Sequence, residues 1–361
     1  MDPFLPDDRK VAAVRALLPA TGAGIALDTP TAGPLPGETA TALREADDWE
    51  LRVGRGGPDH AADAALRREE AAGVLAAVLG VAPGRVVPVM GVATATAAVL
   101  GCVRGGGPLA LVPGLDPAVE AAARAVAGAR GWAVTEDTAS ARIVLAPAVR
   151  ADDGDVVDLA GVRAGMDSTG LLVADLTLAA GVLAGTTGLV AGVADAAILA
   201  TDRWLLGPDG TAAIVLGDEA DEARRLADPL PRRAALGLGR SVGWLLMYVG
   251  LPWAVERAGV LAARLRAALV AIPGVRVRGA GGSATLAFTV DEWTPDEAAD
   301  ELGRRVFAIT GRTPDGSALR VGVGAWTTEE ELDRFARAVA ELAAHTPATL
   351  PRRPVIEVLG G

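Results

Sequence analysis

Residues Ala197–Leu216 read AILATDRWLLGPDGTAAIVL. An apolar run ends in Thr201-Asp202-Arg203-Trp204, crosses Leu206-Gly207-Pro208-Asp209-Gly210, and resumes as Thr211–Leu216. β-Prone runs flanking a Gly/Pro cluster read as strand, tight turn, strand. Upstream of this turn short apolar runs alternate with helical patterns. Val86–Met90, Leu109–Val112, Trp132–Val134, Ile143–Leu145 and Leu171–Asp175 read as strands. Between them, Ala93–Val103, Pro117–Ala129 and Leu159–Ala164 have helical spacing. Such alternation predicts an α/β unit with a mostly parallel sheet.

The N-terminal part adds helices at Asp7–Leu18, Glu38–Leu51 and Asp59–Leu79, with a strand at Gly24–Leu27 and Gly80 as a helix stop. Thr39 and Asp59 are candidate first-turn or capping residues. Gly181–Gly192 reads as a Gly-rich crossover, and Asp218–Pro231 as a charged, Pro-bounded connection. A long helical pattern then runs from Gly243 to about Ile272, with Pro252 as its expected kink. Strands Val275–Arg278, Thr285–Thr289 and Leu319–Val323, with helices Thr294–Phe307 and Glu329–His345, form a smaller α+β unit. The tail Thr346–Gly361 reads as extended. The division expected is a large α/β domain over 22–240 and a small domain from 1–21 and 241–361.

Composition narrows the function classes. The chain has 361 residues, is 51% hydrophobic, and carries a net charge of −11 with pI near 4.8. That acidity argues against a nucleic-acid partner, which needs a basic footprint. No uncharged apolar run reaches the ~18 residues of a membrane span. The first residues have acids ahead of the apolar part and do not read as a secretory signal, so a cytoplasmic protein with no membrane partner is expected. One cysteine, Cys102, and two distant histidines, His60 and His345, predict no metal site.

The segment around Trp204 resembles the cofactor-lysine segment of class V aminotransferases, the family of cysteine desulfurases and isopenicillin N epimerase-like enzymes. Their pattern is Ser-x-His-Lys-Trp-x-x-Gly-Pro-x-Gly, in which the lysine carries pyridoxal phosphate (PLP) as a Schiff base. Trp204, Gly207, Pro208 and Gly210 keep it; Ala200, Asp202 and Arg203 stand at the Ser, His and Lys places. The resemblance implies a fold-type I large domain with a seven-stranded, mostly parallel sheet plus a smaller α+β C-terminal domain.

It also implies roles for other residues. Asp175, 28 residues before Arg203, takes the place of the acid that pairs with the pyridinium nitrogen. Leu178 stands where the family has a Gln on the ring hydroxyl, and Pro113–Ala118 holds no aromatic to stack on the ring. Thr94, in Gly91-Val92-Ala93-Thr94-Ala95, and Thr201 are vestiges of phosphate donors. Arg320, in Leu319-Arg320-Val321-Gly322-Val323, matches the arginine that grips a substrate α-carboxylate, and Thr31 lies in the substrate loop Asp28–Pro36. The segment Trp326–Glu331 matches the family's Tyr-Asn-Thr-x-Glu-Glu.

Arg203 decides how far the resemblance reaches. Lys10 is the only lysine, and 33 of the 34 basic residues are arginine. A guanidinium stays protonated and cannot attack an aldehyde as an amine does. The expectation is therefore a protein without covalently bound PLP. It would bind or convert an amino-acid-like molecule through Asp175, Asp202, Arg203 and Arg320, or act as the inactive subunit of a heterodimer. A PLP-dependent lyase, desulfurase or epimerase using the cofactor non-covalently is the alternative. A homodimer, or a heterodimer with a lysine-bearing paralogue, is expected because Val242–Leu251 is more apolar than one core face requires.

Overall fold

Seven strands form the central sheet of the computed structural model, which describes residues 7–216, 222 and 225–351. They are β2 (Val86–Met90), β3 (Leu109–Leu111), β4 (Val134–Thr135), β5 (Ile143–Pro147), β6 (Leu171–Asp175), β7 (Ala196–Ala200) and β8 (Thr211–Val215). Their order is β2-β8-β7-β6-β5-β3-β4. The pairs β4/β3, β3/β5, β5/β6 and β6/β7 are parallel, and only β8 runs against its neighbours. This is the seven-stranded, mostly parallel sheet expected of the fold.

Both faces of the sheet are covered, so its strands are apolar throughout rather than alternating. Ala197 and Leu199 point into a core shared with Leu75 and Leu79 of α3 (Pro58–Leu79) and with Leu238. Ala196 and Ile198 point to the other face, against α4 (Val92–Cys102) and α5 (Pro117–Arg130). The other early helices are α1 (Asp7–Ala16), α2 (Gly37–Val53), α6 (Leu159–Gly165) and α7 (Thr186–Gly192). Thr39 does not cap α2; its hydroxyl meets that of Ser241 at 2.9 Å.

The C-terminal part builds a four-stranded antiparallel sheet, β12-β13-β10-β9. Its strands are β9 (Val275–Val277), β10 (Thr285–Val290), β12 (Gly311–Arg312) and β13 (Leu319–Gly322). A separate core, including Phe288, Leu302, Phe335 and Leu342, joins it to the helices Leu251–Val270, Pro295–Val306 and Glu329–Ala343. The N-terminal strand β1 (Ile25–Ala26) lies with this part, paired in parallel with β11 (Ala308–Ile309).

Several local expectations change. The Gly-rich crossover contains a helix, α7. The helix expected from Gly243 begins earlier, at Arg232, and passes through a π turn at Leu245–Val249. The 82° bend falls at Gly250 rather than Pro252. Gly250 sits at φ 82°, which a side chain resists, whereas Pro252 occupies the second position of the new helix, where no N–H is needed. The apolar run Val242–Leu251 does not exceed one core face: Val242, Trp244, Leu245 and Val249 are buried in the chain's own core, and Met247 alone is fully exposed. No single helix among the described residues is long and apolar enough to cross a membrane. The tail beyond Pro351 and most of the segment Gly217–Arg224 lie outside the described residues.

Candidate functional site

Parallel strands end together, and the crevice at their carboxyl ends is where an α/β sheet receives ligands. Asp175 is the last residue of β6 and is almost fully buried. Its Oδ1 accepts from the Thr177 amide at 2.9 Å and its Oδ2 from the Asp116 amide at 3.0 Å. Burial pushes its pKa up, and the Asp116 carboxylate pushes it further the same way. A carboxylate so placed gains most from a cationic partner.

The turn 201–210 lies at the same edge. Arg203 reaches from it to Asp116, Nη2 to Oδ2 at 2.7 Å. Asp116 also caps α5, its Oδ1 accepting from the Ala118 amide at 2.9 Å. The Asp202 Oδ2 accepts from the Gly210 amide at 2.7 Å, and the Gly210 carbonyl accepts from Gly91, the residue before α4. Burial is the first cause of the raised Asp202 pKa. Thr201 is fully buried, and its hydroxyl donates to that of Thr211 at 2.7 Å, so it holds the turn rather than facing the crevice. Thr94 is half-buried in the first turn of α4.

The loop Asp28–Pro36 closes one side by resting on this turn. The Gly33 amide donates to the Asp202 carbonyl at 2.9 Å, and a Cβ on Gly33 would run into the Arg203 carbonyl. The Gly322 amide donates to the Leu27 carbonyl at 2.7 Å, and a Cβ there would strike Pro30 and approach the Trp204 ring. These close approaches bring β13 against the turn, and with it Arg320. Arg320 is buried, and its Nη2 donates to the Thr31 hydroxyl at 3.1 Å. Thr31 in turn donates to the Asp28 Oδ1 at 2.8 Å. Burial lowers the Arg320 pKa first and the Arg203 charge second, while Asp28 and Asp116 oppose them.

The structure thus gathers Asp175, Arg203, Arg320 and Thr31 at one crevice, with Asp202 and Thr94 on its α4 side. Sequence reading missed Asp116 and Asp28 as members. Asp116-Pro117 carries the signature of a helix start, and nothing local signals its second bond, to a residue 87 positions away. The segment Trp326–Glu331 serves as a helix start: Thr328 and Glu331 form a capping box.

Whether a pyridoxal phosphate fits rests on the donors left over. The Arg203 Nη1, Arg320 Nε and Thr177 Oγ1 are buried with no hydrogen-bond partner. Asp175, bonded to the Thr177 amide and to the amide of Asp116, the partner of Arg203, is a buried acid at the same edge, and α4 starts there at Gly91, whose amide donates to the Gly210 carbonyl. The amine is missing: Lys10 lies on α1 with its Nζ 4.2 Å from the centre of the Trp253 ring. Leu178 is buried in the core and offers no hydrogen bond. This donor set fits the group held by charge and hydrogen bonds.

No protein-family model and no curated protein sequence matches this chain. Solved structures do. A lysine-to-alanine mutant of C-DES with glycine covalently linked to the PLP cofactor superposes with a TM-score of 0.80 at 15% identity, over 91% of this chain and 99% of that one. The apo cysteine desulfurase from Thermococcus onnurineus NA1 gives 0.78 at 15% identity, over 92% and 98%. The cysteine desulfurase CsdA (S-sulfonic acid) from Escherichia coli gives 0.75 at 18% identity, over 91% and 97%. The expectation of no covalently bound cofactor, with PLP only as an alternative, is corrected by the first of these. In that neighbour PLP is present although a lysine has been replaced by alanine. The chain has the class V aminotransferase fold of the cysteine desulfurases.

Proposed function

We propose that this chain is a cytoplasmic PLP-dependent protein of the lyase, desulfurase or epimerase type that holds its cofactor non-covalently and acts on an amino-acid-like carboxylate. The observation that carries the reading is Arg320. Among the described residues no carboxylate lies within 4.0 Å of this buried guanidinium, and its Nε has no partner. A buried guanidinium whose nearest acid, Asp28, is reached only through the Thr31 hydroxyl leaves an N–H unpaired, and a ligand carboxylate supplies the missing acceptor.

Each residue has a physical task in this reading. Arg320 and Thr31 hold the carboxylate and fix its orientation. Asp175 would hold the protonated ring nitrogen, exchanging the cost of its own burial for a charge-assisted bond. The α4 amides and Thr94 would hold the phosphate, since a helix N-terminus favours an anion. The cofactor, when bound, supplies an electron sink for charge developing beside an amino-acid α-carbon.

Equilibrium dialysis against PLP tests the proposal. Wild-type chain should bind it, and Asp175→Ala should bind about tenfold or more weakly. Equal binding by the two, or none by the wild type, would sink the reading. We further propose a dimer, with itself or with a lysine-bearing paralogue; the exposed Leu51, Val53 and Met247 support it, and light scattering tests it.

A further inference from the structure

Arg203 is positioned to do more than close an ion pair. Its Nη2 is fixed on Asp116 at 2.7 Å, which immobilises the guanidinium and offsets its charge. Nη1 then remains as a buried donor with nothing to donate to. Arg320 presents the matching situation from β13, held by Thr31 through Nη2 and unpartnered at Nε. The two guanidiniums feel each other's charge. Two guanidiniums at one buried crevice, each with an idle N–H, lack one thing: an acceptor in contact with those two N–H groups.

We propose that Arg203 is a second arm of the anion site, so that one ligand carboxylate accepts from Arg203 Nη1 and from Arg320 Nε together. This rests on the reading of Arg320 above and deepens it. The ligand class that follows is a compound with a single carboxylate at this end. The Arg203–Asp116 pair is already neutral, and Arg320 meets its neighbouring acid Asp28 only through the Thr31 hydroxyl, so among the described residues its Nε has no acceptor. Asp28 stands beside Arg320, its carboxyl accepting from Thr31, and gives the crevice an acceptor for an amino group carried by the same ligand. Arg203 here is a specificity-determining residue and reads the carboxylate directly.

The test is calorimetric titration of the purified protein with propionate and with L-alanine. Four chains are compared: wild type, Arg203→Gln, Arg320→Gln and Asp116→Asn. Circular dichroism checks each fold, with Arg203→Met as the substitute should Arg203→Gln not fold. The proposal expects both ligands to bind the wild type, and both to bind Arg203→Gln and Arg320→Gln about tenfold or more weakly. Asp116→Asn keeps Nη1 but loosens its anchor, and should bind propionate less well than the wild type yet more tightly than Arg203→Gln does. If Arg203→Gln binds like the wild type while Arg320→Gln does not, the second arm is wrong and the Arg320 reading stands. If Asp116→Asn weakens binding as much as Arg203→Gln, the arginine acts only through its ion pair and the proposal falls. If neither arginine variant matters, or the wild type binds neither ligand, both readings fall.

Discussion

Arg203 and Asp116 are joined across the carboxyl edge of the sheet, Nη2 to Oδ2 at 2.7 Å, with side chains 14% and 5% exposed. The Asp116 amide in turn donates to Asp175, so one acidic residue ties the strand β6, the helix α5 and the turn after β7 together. A guanidinium reaches that carboxylate in a planar, multi-donor geometry that a lysine cannot reproduce. Arg203 is therefore part of the local construction of this crevice.

Removing the acid leaves a buried cation behind. Asp116→Asn keeps the helix cap, because Asn caps as well as Asp, but it discharges the pair. It should lower unfolding stability by about 3 kcal/mol, the range for breaking a buried pair on one side. Urea denaturation checks this, and a loss below about 0.5 kcal/mol would mean the pair behaves as a solvated one.

Asp28 gives a pH dependence with a definite sign. Burial is the first cause of its raised pKa, against the Thr31 hydrogen bond and the charges of Arg320, Arg312 and Arg203. A carboxyl that holds its proton longer in the folded chain contributes stability below the ordinary value of about 3.9, and that stability is lost as pH rises through the folded-state value. Asp28→Asn removes the titration and keeps an oxygen for Thr31. Its stability should fall less steeply than wild type from pH 4 upward, and parallel curves would contradict the assignment.

Gly33 sets how closely the substrate loop approaches the turn. A methyl group there meets the Arg203 carbonyl, a backbone atom that cannot move aside cheaply. Gly33→Ala should cost about 1–3 kcal/mol through this overpacking. It should also weaken carboxylate binding, because Thr31 and Arg320 lose their register with Arg203. A variant as stable as wild type with unchanged ligand affinity would show that the loop does not position the site.

Arg203→Lys tests where the cofactor lies. The variant places a primary amine in the crevice that the chain otherwise lacks, since Lys10 is its sole lysine. After addition of PLP and reduction with borohydride, the peptide carrying position 203 should gain a pyridoxyl mass. Failure to gain it, in a variant that still binds PLP by dialysis, would place the ring elsewhere.

Much of the fold was legible because its cause is local and periodic. Apolar runs such as Leu171–Asp175 and Ala196–Ala200 can be nothing but buried strands when helices cover both faces, and Gly207-Pro208-Asp209-Gly210 can only turn. Asp175 was legible for the same reason, as a polar residue closing an apolar run. The bend at Gly250 was misplaced onto Pro252, because a positive φ depends on where the second helix packs. Arg203 without a lysine could be read, but its partner could not. The bond to Asp116, the stacking of Gly33 on the Arg203 carbonyl, and the unpaired Nε of Arg320 join segments far apart in the chain. Such contacts leave no trace in local pattern, since only packing of β13, the substrate loop and the turn against one another brings the charges together. The sequence by itself determined the elements and the missing amine; the tertiary structure decided which charges are satisfied and which await a ligand.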